Sequence, residues 1–200
     1  MVRRFLYDQL YPNSMIPSED VLPDSYPEIE EKIHVFNSAV AIFRAPSDLS
    51  NINGMRREHI RATSSWRKGA ARYDCVLVNS HPDLEGACSF EVARVFLFFS
   101  FTHCDKVYSC ALVQWFSFVY SEPDEDTGLW IIEPEFQDTS GDPHLAVIHT
   151  DSICRAVHLI PAYRTAEKVS TNLTMHSSLD TFPFHYINKF ADHHAFETLF

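Results

Sequence analysis

Glycine is scarce in this chain, five residues in 200, and base is scarcer than acid, with 16 Lys and Arg against 27 Asp and Glu. So few glycines leave no Gly-rich phosphate loop, and the formal net charge of −11 excludes bulk electrostatic capture of nucleic acid. A duplex repels an acidic protein unless that protein's basic groups are concentrated in one place. Long apolar runs are also missing. No stretch of about eighteen apolar residues occurs, and Arg3-Arg4 is not followed by an apolar segment of signal-peptide length, so neither membrane insertion nor secretion is expected. The five cysteines (Cys75, Cys88, Cys104, Cys110 and Cys154) are an odd number and never form C-x-x-C. Free, mostly buried thiols in a reducing compartment are the simple reading. The sequon Asn172-Leu173-Thr174 is then idle.

Catalytic signatures are absent too. There is no G-x-S-x-G and no H-E-x-x-H. Eleven histidines are present, but His193-His194 beside Asp192 would diverge on a helix, missing the i, i+4 spacing that zinc prefers. His149-Thr150-Asp151 and His103-Cys104-Asp105 stand without a partnering motif. Cys154 and His158 would meet only if a helix extended through them, and a strand is expected there. No catalytic residue, metal ligand or cofactor is therefore assigned.

What the chain has is apolar and aromatic bulk. Sixteen Phe, eight Tyr and three Trp, in a sequence 46% hydrophobic, suffice for a packed core of large side chains on strands. Residues 1–31, with Pro12, Pro17, Pro23 and Pro27 among acids and serines, read as an irregular lead-in. Residues 32–71 read as a strand (Lys32 to Phe43), a turn-rich loop, one or two helical turns over Met55 to Ala62, and a basic flank. From Arg72 the pattern is β-like. Tyr73 to Asn79 is a strand. Val92 to Thr102 is apolar on both faces, which suits a central strand. A tight turn at Cys104-Asp105-Lys106 leads to Val107 to Tyr120 as the second arm of a hairpin. Leu129 to Glu133 and Leu145 to His149 are further strands. Thr150-Asp151-Ser152 caps a single helical turn, and Ala156 to Ile160 is the last strand. Several short strands joined by turns predict a mainly β fold, a small antiparallel barrel over residues 72–163. Residues 164–200 predict a linker and a C-terminal α-helix, with Asp180 as N-cap and Phe184, Ile187, Phe190 and Ala191 at helical spacing.

Two segments are polarised by charge. Arg56, Arg57, Arg61, Arg67, Lys68 and Arg72 lie within seventeen residues that hold one acid, Glu58, and Trp66 sits among them. Guanidinium groups match phosphate geometry and an indole stacks on bases, so Arg56, Arg57, Arg61, Trp66, Arg67 and Lys68 are candidate nucleic-acid contacts. The plainer alternative is a solvated segment whose arginines pair with the protein's own acids. At the other pole, no Lys or Arg occurs between Lys106 and Arg155. There Glu122, Asp124, Glu125, Asp126, Glu133, Glu135, Asp138, Asp142 and Asp151 accompany Trp115, Phe116, Phe118, Tyr120 and Trp130. Carboxylates beside aromatic faces attract ammonium groups, so Trp115, Tyr120, Glu122, Asp124, Asp126 and Trp130 are candidate contacts for a cationic, histone-like peptide or protein partner. Alternation sends only half of such aromatics to any one face, and the plainer reading makes them core.

Two resemblances accompany these readings. Asp74-Cys75-Val76-Leu77-Val78, Val92-Ala93-Arg94-Val95, Leu112-Val113-Gln114-Trp115-Phe116 and the run from Val147 to Ile160 resemble bromo-adjacent homology (BAH) domains. That resemblance implies a non-catalytic β-barrel of chromatin proteins that binds nucleosomes, histone tails or other proteins. Phe36-Asn37-Ser38-Ala39, Ala45-Pro46-Ser47-Asp48-Leu49-Ser50, Gly54-Met55-Arg56-Arg57-Glu58, Ser65-Trp66-Arg67, Ala71-Arg72-Tyr73-Asp74, Glu133-Pro134-Glu135 and His158-Leu159-Ile160-Pro161 are similar to a C-terminal segment of fungal Plavaka-type DNA transposon proteins. This second resemblance, over roughly residues 34–198, implies a domain belonging to or left from a mobile element, outside any transposase core. The expectation is a non-enzymatic interaction module, intracellular, with a nuclear setting implied by the chromatin resemblance. It binds a cationic partner, or alternatively nucleic acid through the basic flank.

Overall fold

The structure, a computed structural model, describes residues 1–29, 31–48, 53–80, 83, 86–137, 141–163, 173–174 and 176–199. Its centre is a long hairpin, β6 (Phe90–His103) and β7 (Lys106–Phe118), in register from Val92↔Phe116 to His103↔Lys106. Cys104 and Asp105 take φ of 50° and 61° between the arms. Left-handed values at both central residues give a two-residue turn whose twist matches the strands it joins. The register slips at Phe96, between Val95 and Leu97. The resulting bulge bends β6, which pairs with β5 (Cys75–Asn79) before it and with β1 (His34–Phe36) beyond it.

On the other arm β7 pairs with β8 (Ile131–Pro134) and β9 (Leu145–His149). A 3-10 turn at Thr150–Ser152 leads from β9 to β10 (Ile153–Val157), which returns to pair with β5. The antiparallel sheet therefore curls into a nearly closed barrel. A small sheet of β2 (Ser38–Arg44), β3 (Met55–Thr63) and β4 (Arg72–Tyr73) covers one side. The predicted small antiparallel barrel is what the structure shows, and no helix among the described residues is long and apolar enough to cross a membrane.

Three apolar clusters hold these layers. The barrel interior gathers Ile60, Ala62, Val76, Val78, Ala93, Val95, Phe98, Ala111 and Val113. On the outer side of the sheet, Leu77, Val92, Phe116 and Ile132 pack against Ile187 and Leu199 of the C-terminal segment. Beyond the bulge, Phe99, Phe101, Tyr108 and Cys110 are covered by Phe5 and Leu6 of α1 (Val2–Leu10). Strand β6 contributes to all three, which is why its sequence is apolar on both faces. Replacing a fully buried side chain such as Leu6 by Ala costs about 2–5 kcal/mol.

Four local expectations are corrected. The lead-in begins with helix α1, held down by Phe5 and Leu6, and its irregular stretch starts only beyond that helix. Met55 to Ala62 is strand β3, not helical turns, because pairing with β2 along its length outweighs the helix preference of Met, Arg, Glu and Ala. The last strand is interrupted at His158, giving β10 and β11 (Leu159–Pro161). Asp180 does not cap a long helix: it lies in the single turn α2 (Ser178–Thr181). Ile187 then belongs to β12 (His185–Ile187), which bridges β8 and β11. The C-terminal helix is α3 (His193–Leu199), and Oδ1 of Asp192 accepts from Ala195 N–H at 2.8 Å at its start. The cysteines whose side chains are described are free, with Cys75 and Cys110 buried, Cys154 half-buried and Cys104 exposed. Asp138, Asn172 of the sequon, residues 164–171 of the linker and the Cys88 side chain lie outside the described residues.

Candidate functional site

Strand β3 decides which basic residues act together. Its alternation buries Ile60 and Ala62 in the barrel, and with them turns Arg56 and Glu58 inward; Arg57, His59 and Arg61 face out. Across β2 the outward positions are Ser38, Val40, Ile42 and Arg44, paired with Arg61, His59, Arg57 and Met55. Arg72 of β4 stands exposed opposite Thr63. Arg44, Arg57, Arg61 and Arg72 thus share one outer face, in a protein of net charge −11.

The connection from β3 to β4 carries the aromatic residue of this face. Gly69 N–H donates to Trp66 O at 2.8 Å and Trp66 N–H to Ala70 O at 3.0 Å, closing a tight turn. Its two central residues are Arg67 at φ 51° and Lys68 at φ 65°. Such values are uncommon for residues with a Cβ and cost roughly 1–2 kcal/mol each. Here they lift two cations to an exposed tip. The half-buried Trp66 ring lies under three guanidinium groups, with Cζ to ring centroid 4.4 Å for Arg61, 5.4 Å for Arg67 and 5.6 Å for Arg72. Asp74 anchors the base of the turn, accepting from Arg72 Nε at 2.8 Å and from the Arg61 backbone N–H at 2.9 Å.

Arg56 does not join this group. Its Nη1 lies 2.8 Å from Asp48 Oδ2 and 3.3 Å from Asp192 Oδ2, so it ties β3 to the C-terminal segment. Asp192 also receives both Nη atoms of the buried Arg155, at 3.0 and 2.6 Å. Those bonds, foremost, hold the Asp192 carboxyl well below the usual carboxylate range. For Arg56 the plainer alternative, pairing with the protein's own acids, describes the geometry.

No family model, curated protein or solved structure matches the chain. Function accordingly has to be read from the side chains. Those of the acidic pole are dispersed. Trp115 packs with the barrel interior, opposite Ala93. Trp130 packs on the other side of the sheet, edge-on to Phe118 at 5.0 Å. Trp115 and Trp130 therefore do not line one cage. Tyr120 is 54% exposed, and Glu122, Glu125 and Asp126 are exposed nearby in sequence. Asp124 is turned to its own loop, where Oδ1 accepts from Thr127 N–H at 3.1 Å and Thr127 Oγ1 at 3.0 Å. Glu135 pairs with His144 at 2.7 Å.

The histidines and cysteines are likewise scattered. Burial pushes the Cys75 and Cys110 thiols up to about 12 and raises Cys154, which keeps all three un-ionised and poorly nucleophilic near neutrality. His158 shares its Nδ1 with Asn188 Nδ2 at 3.1 Å, not with Cys154. His194 Nδ1 faces Arg155 Nη1 at 2.9 Å. Among the described residues no three His, Cys, Asp or Glu side chains gather closely enough to hold a metal ion. Arg44 and His59 were absent from the sequence expectations of a site, and His158 entered them only as a partner for Cys154. Period-2 alternation over residues 55–63 groups His59 with Arg57 and Arg61, whereas nothing in the sequence sets His158 beside them.

Proposed function

We propose that this chain is a non-catalytic binding module, serving chromatin or a mobile-element assembly, that docks single-stranded nucleic acid on the outer face of β2, β3 and β4. The observation that carries this reading is the Trp66 turn, an indole framed by three guanidinium groups beside a strained, exposed Arg67-Lys68 tip. Guanidinium groups bind phosphates, and an indole accepts any base on its face, a contribution of about 1–3 kcal/mol per base. Arg67, at the exposed tip, is the one a base displaces from the ring. Left-handed backbone costs more with side chains than with glycine, as also at Cys104 and Asp105; what sets this turn apart is that the two residues held at that cost are both cations beside an indole.

The test is fluorescence anisotropy of dye-labelled single strands and duplexes across a salt series. Single strands are expected to bind better than duplex, with affinity falling as salt rises. Trp66→Ala is expected to weaken binding about tenfold, in line with the loss of one stacked base. Equal binding of single strand and duplex, or no effect of Trp66→Ala, rejects the reading. A second reading, a cationic peptide on the acidic loop, is favoured by the exposure of Tyr120 beside Glu122, Glu125 and Asp126. A lysine-rich peptide in the same assay tests it.

A further inference from the structure

Strand β3, from Arg57 through Glu58 and His59 to Arg61, is one wall of a groove of about 500 Å³, whose other wall is formed by His158, Asn188 and the start of α3. Four arginines and three acids line it, and most of that charge is already paired. Arg155 is locked to Asp192, with Nη2 to Oδ2 at 2.6 Å, and Arg72 to Asp74 at 2.8 Å. Glu58 Oε2 accepts the Ala156 N–H at 2.9 Å. What remains on the β3 side is cationic or neutral. The Arg57 guanidinium and the His59 ring are exposed and make no hydrogen bond or ion pair among the described residues. Arg61 uses one Nη only, weakly, on the His59 carbonyl at 3.4 Å. Across the groove His158 Nε2 is free to donate, its Nδ1 being held by Asn188.

We propose that this groove is a phosphate site, holding the backbone phosphate of the nucleotide whose base lies on Trp66; in that form it rests on the strand-binding reading. Arg61 joins the two parts. Its guanidinium lies 4.4 Å from the Trp66 ring centroid and also lines the groove, so one side chain sits between stacked base and bound phosphate. Arg57 supplies the two-pronged contact that a phosphate accepts best, and His59 and His158 add single donors from either wall. The three acids do not oppose the anion at the mouth, because each is drawn to a donor of the fold.

The experiment uses the full chain, a dye-labelled oligothymidylate and, separately, inorganic phosphate. Arg57→Gln is expected to lower oligonucleotide affinity about tenfold at low salt. It is also expected to reduce the slope of log K against log salt by about 0.7, the value of one single-strand phosphate contact. Tryptophan quenching at saturation stays as in the unaltered chain, whereas Trp66→Ala reduces the quenching and leaves the salt slope alone. Arg57 is exposed, so the substitution leaves the core untouched. If Arg57→Gln keeps the slope while Trp66→Ala still weakens binding, the phosphate site is overturned and the strand reading stands. If the unaltered chain binds no oligonucleotide, the strand reading falls. Titration with inorganic phosphate then decides the groove: NMR shifts at Arg57 and His59 sustain a phosphate site for another ligand, and their absence overturns it.

Discussion

His185 is fully buried, edge-on to Phe116 at 6.3 Å, and among the described residues neither ring nitrogen meets hydrogen-bond geometry although the Ser178 backbone lies close. Arg94 and Asp180 face it with opposite charges. Burial, aided by Arg94, outweighs Asp180 and lowers the His185 pKa. His194 shifts the same way, by burial first and then by Arg155. An unfolded histidine binds its proton near pH 6.5, while the folded chain resists doing so. Stability is therefore full above about pH 6.5 and declines as pH falls below it. Asp192, with its carboxyl held low, adds a loss only at more acidic pH, beneath the ordinary carboxylate range. His185→Phe keeps an aromatic ring in the site without its proton. Urea midpoints measured from pH 7.5 to pH 5 are expected to fall less steeply in this variant, the remaining slope belonging to His194. Parallel slopes in the two proteins would contradict the assignment.

At the scale of elements the turn between β3 and β4 sets stability against binding. Asn-Gly is the pair that left-handed two-residue turns favour. Replacing Arg67-Lys68 by Asn-Gly is expected to raise stability by about 1 kcal/mol, a few degrees in Tm for a chain this long. Oligonucleotide affinity is expected to fall in the same variant. A variant that gains no stability denies the strain, and one that keeps full affinity denies the role of the tip. The same contrast between local signal and context explains what was legible in the sequence. The β6–β7 hairpin was legible because its apolar run is long and its turn short. Leu145 to His149 emerged with its predicted bounds, and the 3-10 turn after it where a helical turn was expected. Strand β3 was not legible, since MRREHIRA is a good helix sequence until β2 pairs with it. At the carboxy terminus, Phe184, Ile187 and Phe190 mimic helical spacing while Ile187 is buried as a strand residue, and the effective cap is Asp192, not Asp180. The site was half legible. Trp66 with Arg61, Arg67 and Arg72 could be grouped by proximity in sequence, but the inward turn of Arg56 and the parting of Trp115 from Trp130 depend on strand register, where one step inverts the face.

At the scale of the whole molecule, two patches of opposite charge stand apart among the described residues. The outer face of β2, β3 and β4 carries Arg44, Arg57, Arg61, Arg67, Lys68 and Arg72, while Glu122, Glu125 and Asp126 stand exposed on the loop after β7. A chain of net charge −11 repels a polyanion at long range even where one face attracts it at contact. Repulsion of that kind is screened beyond about 10 Å at 0.1 M salt, whereas the contacts on the basic face persist as phosphates displace counterions. Neutralising the loop with Glu122→Gln, Glu125→Gln and Asp126→Asn together separates the two effects. Oligonucleotide affinity is expected to rise a few-fold at low salt, mainly through faster association, and the gain is expected to vanish as salt approaches physiological strength. A gain that persists at high salt would place the loop in direct contact with the strand. In the same triple variant, loss of a lysine-rich peptide's binding would move the weight of the interaction to the acidic loop, because peptide capture there requires the carboxylates that strand capture is better without.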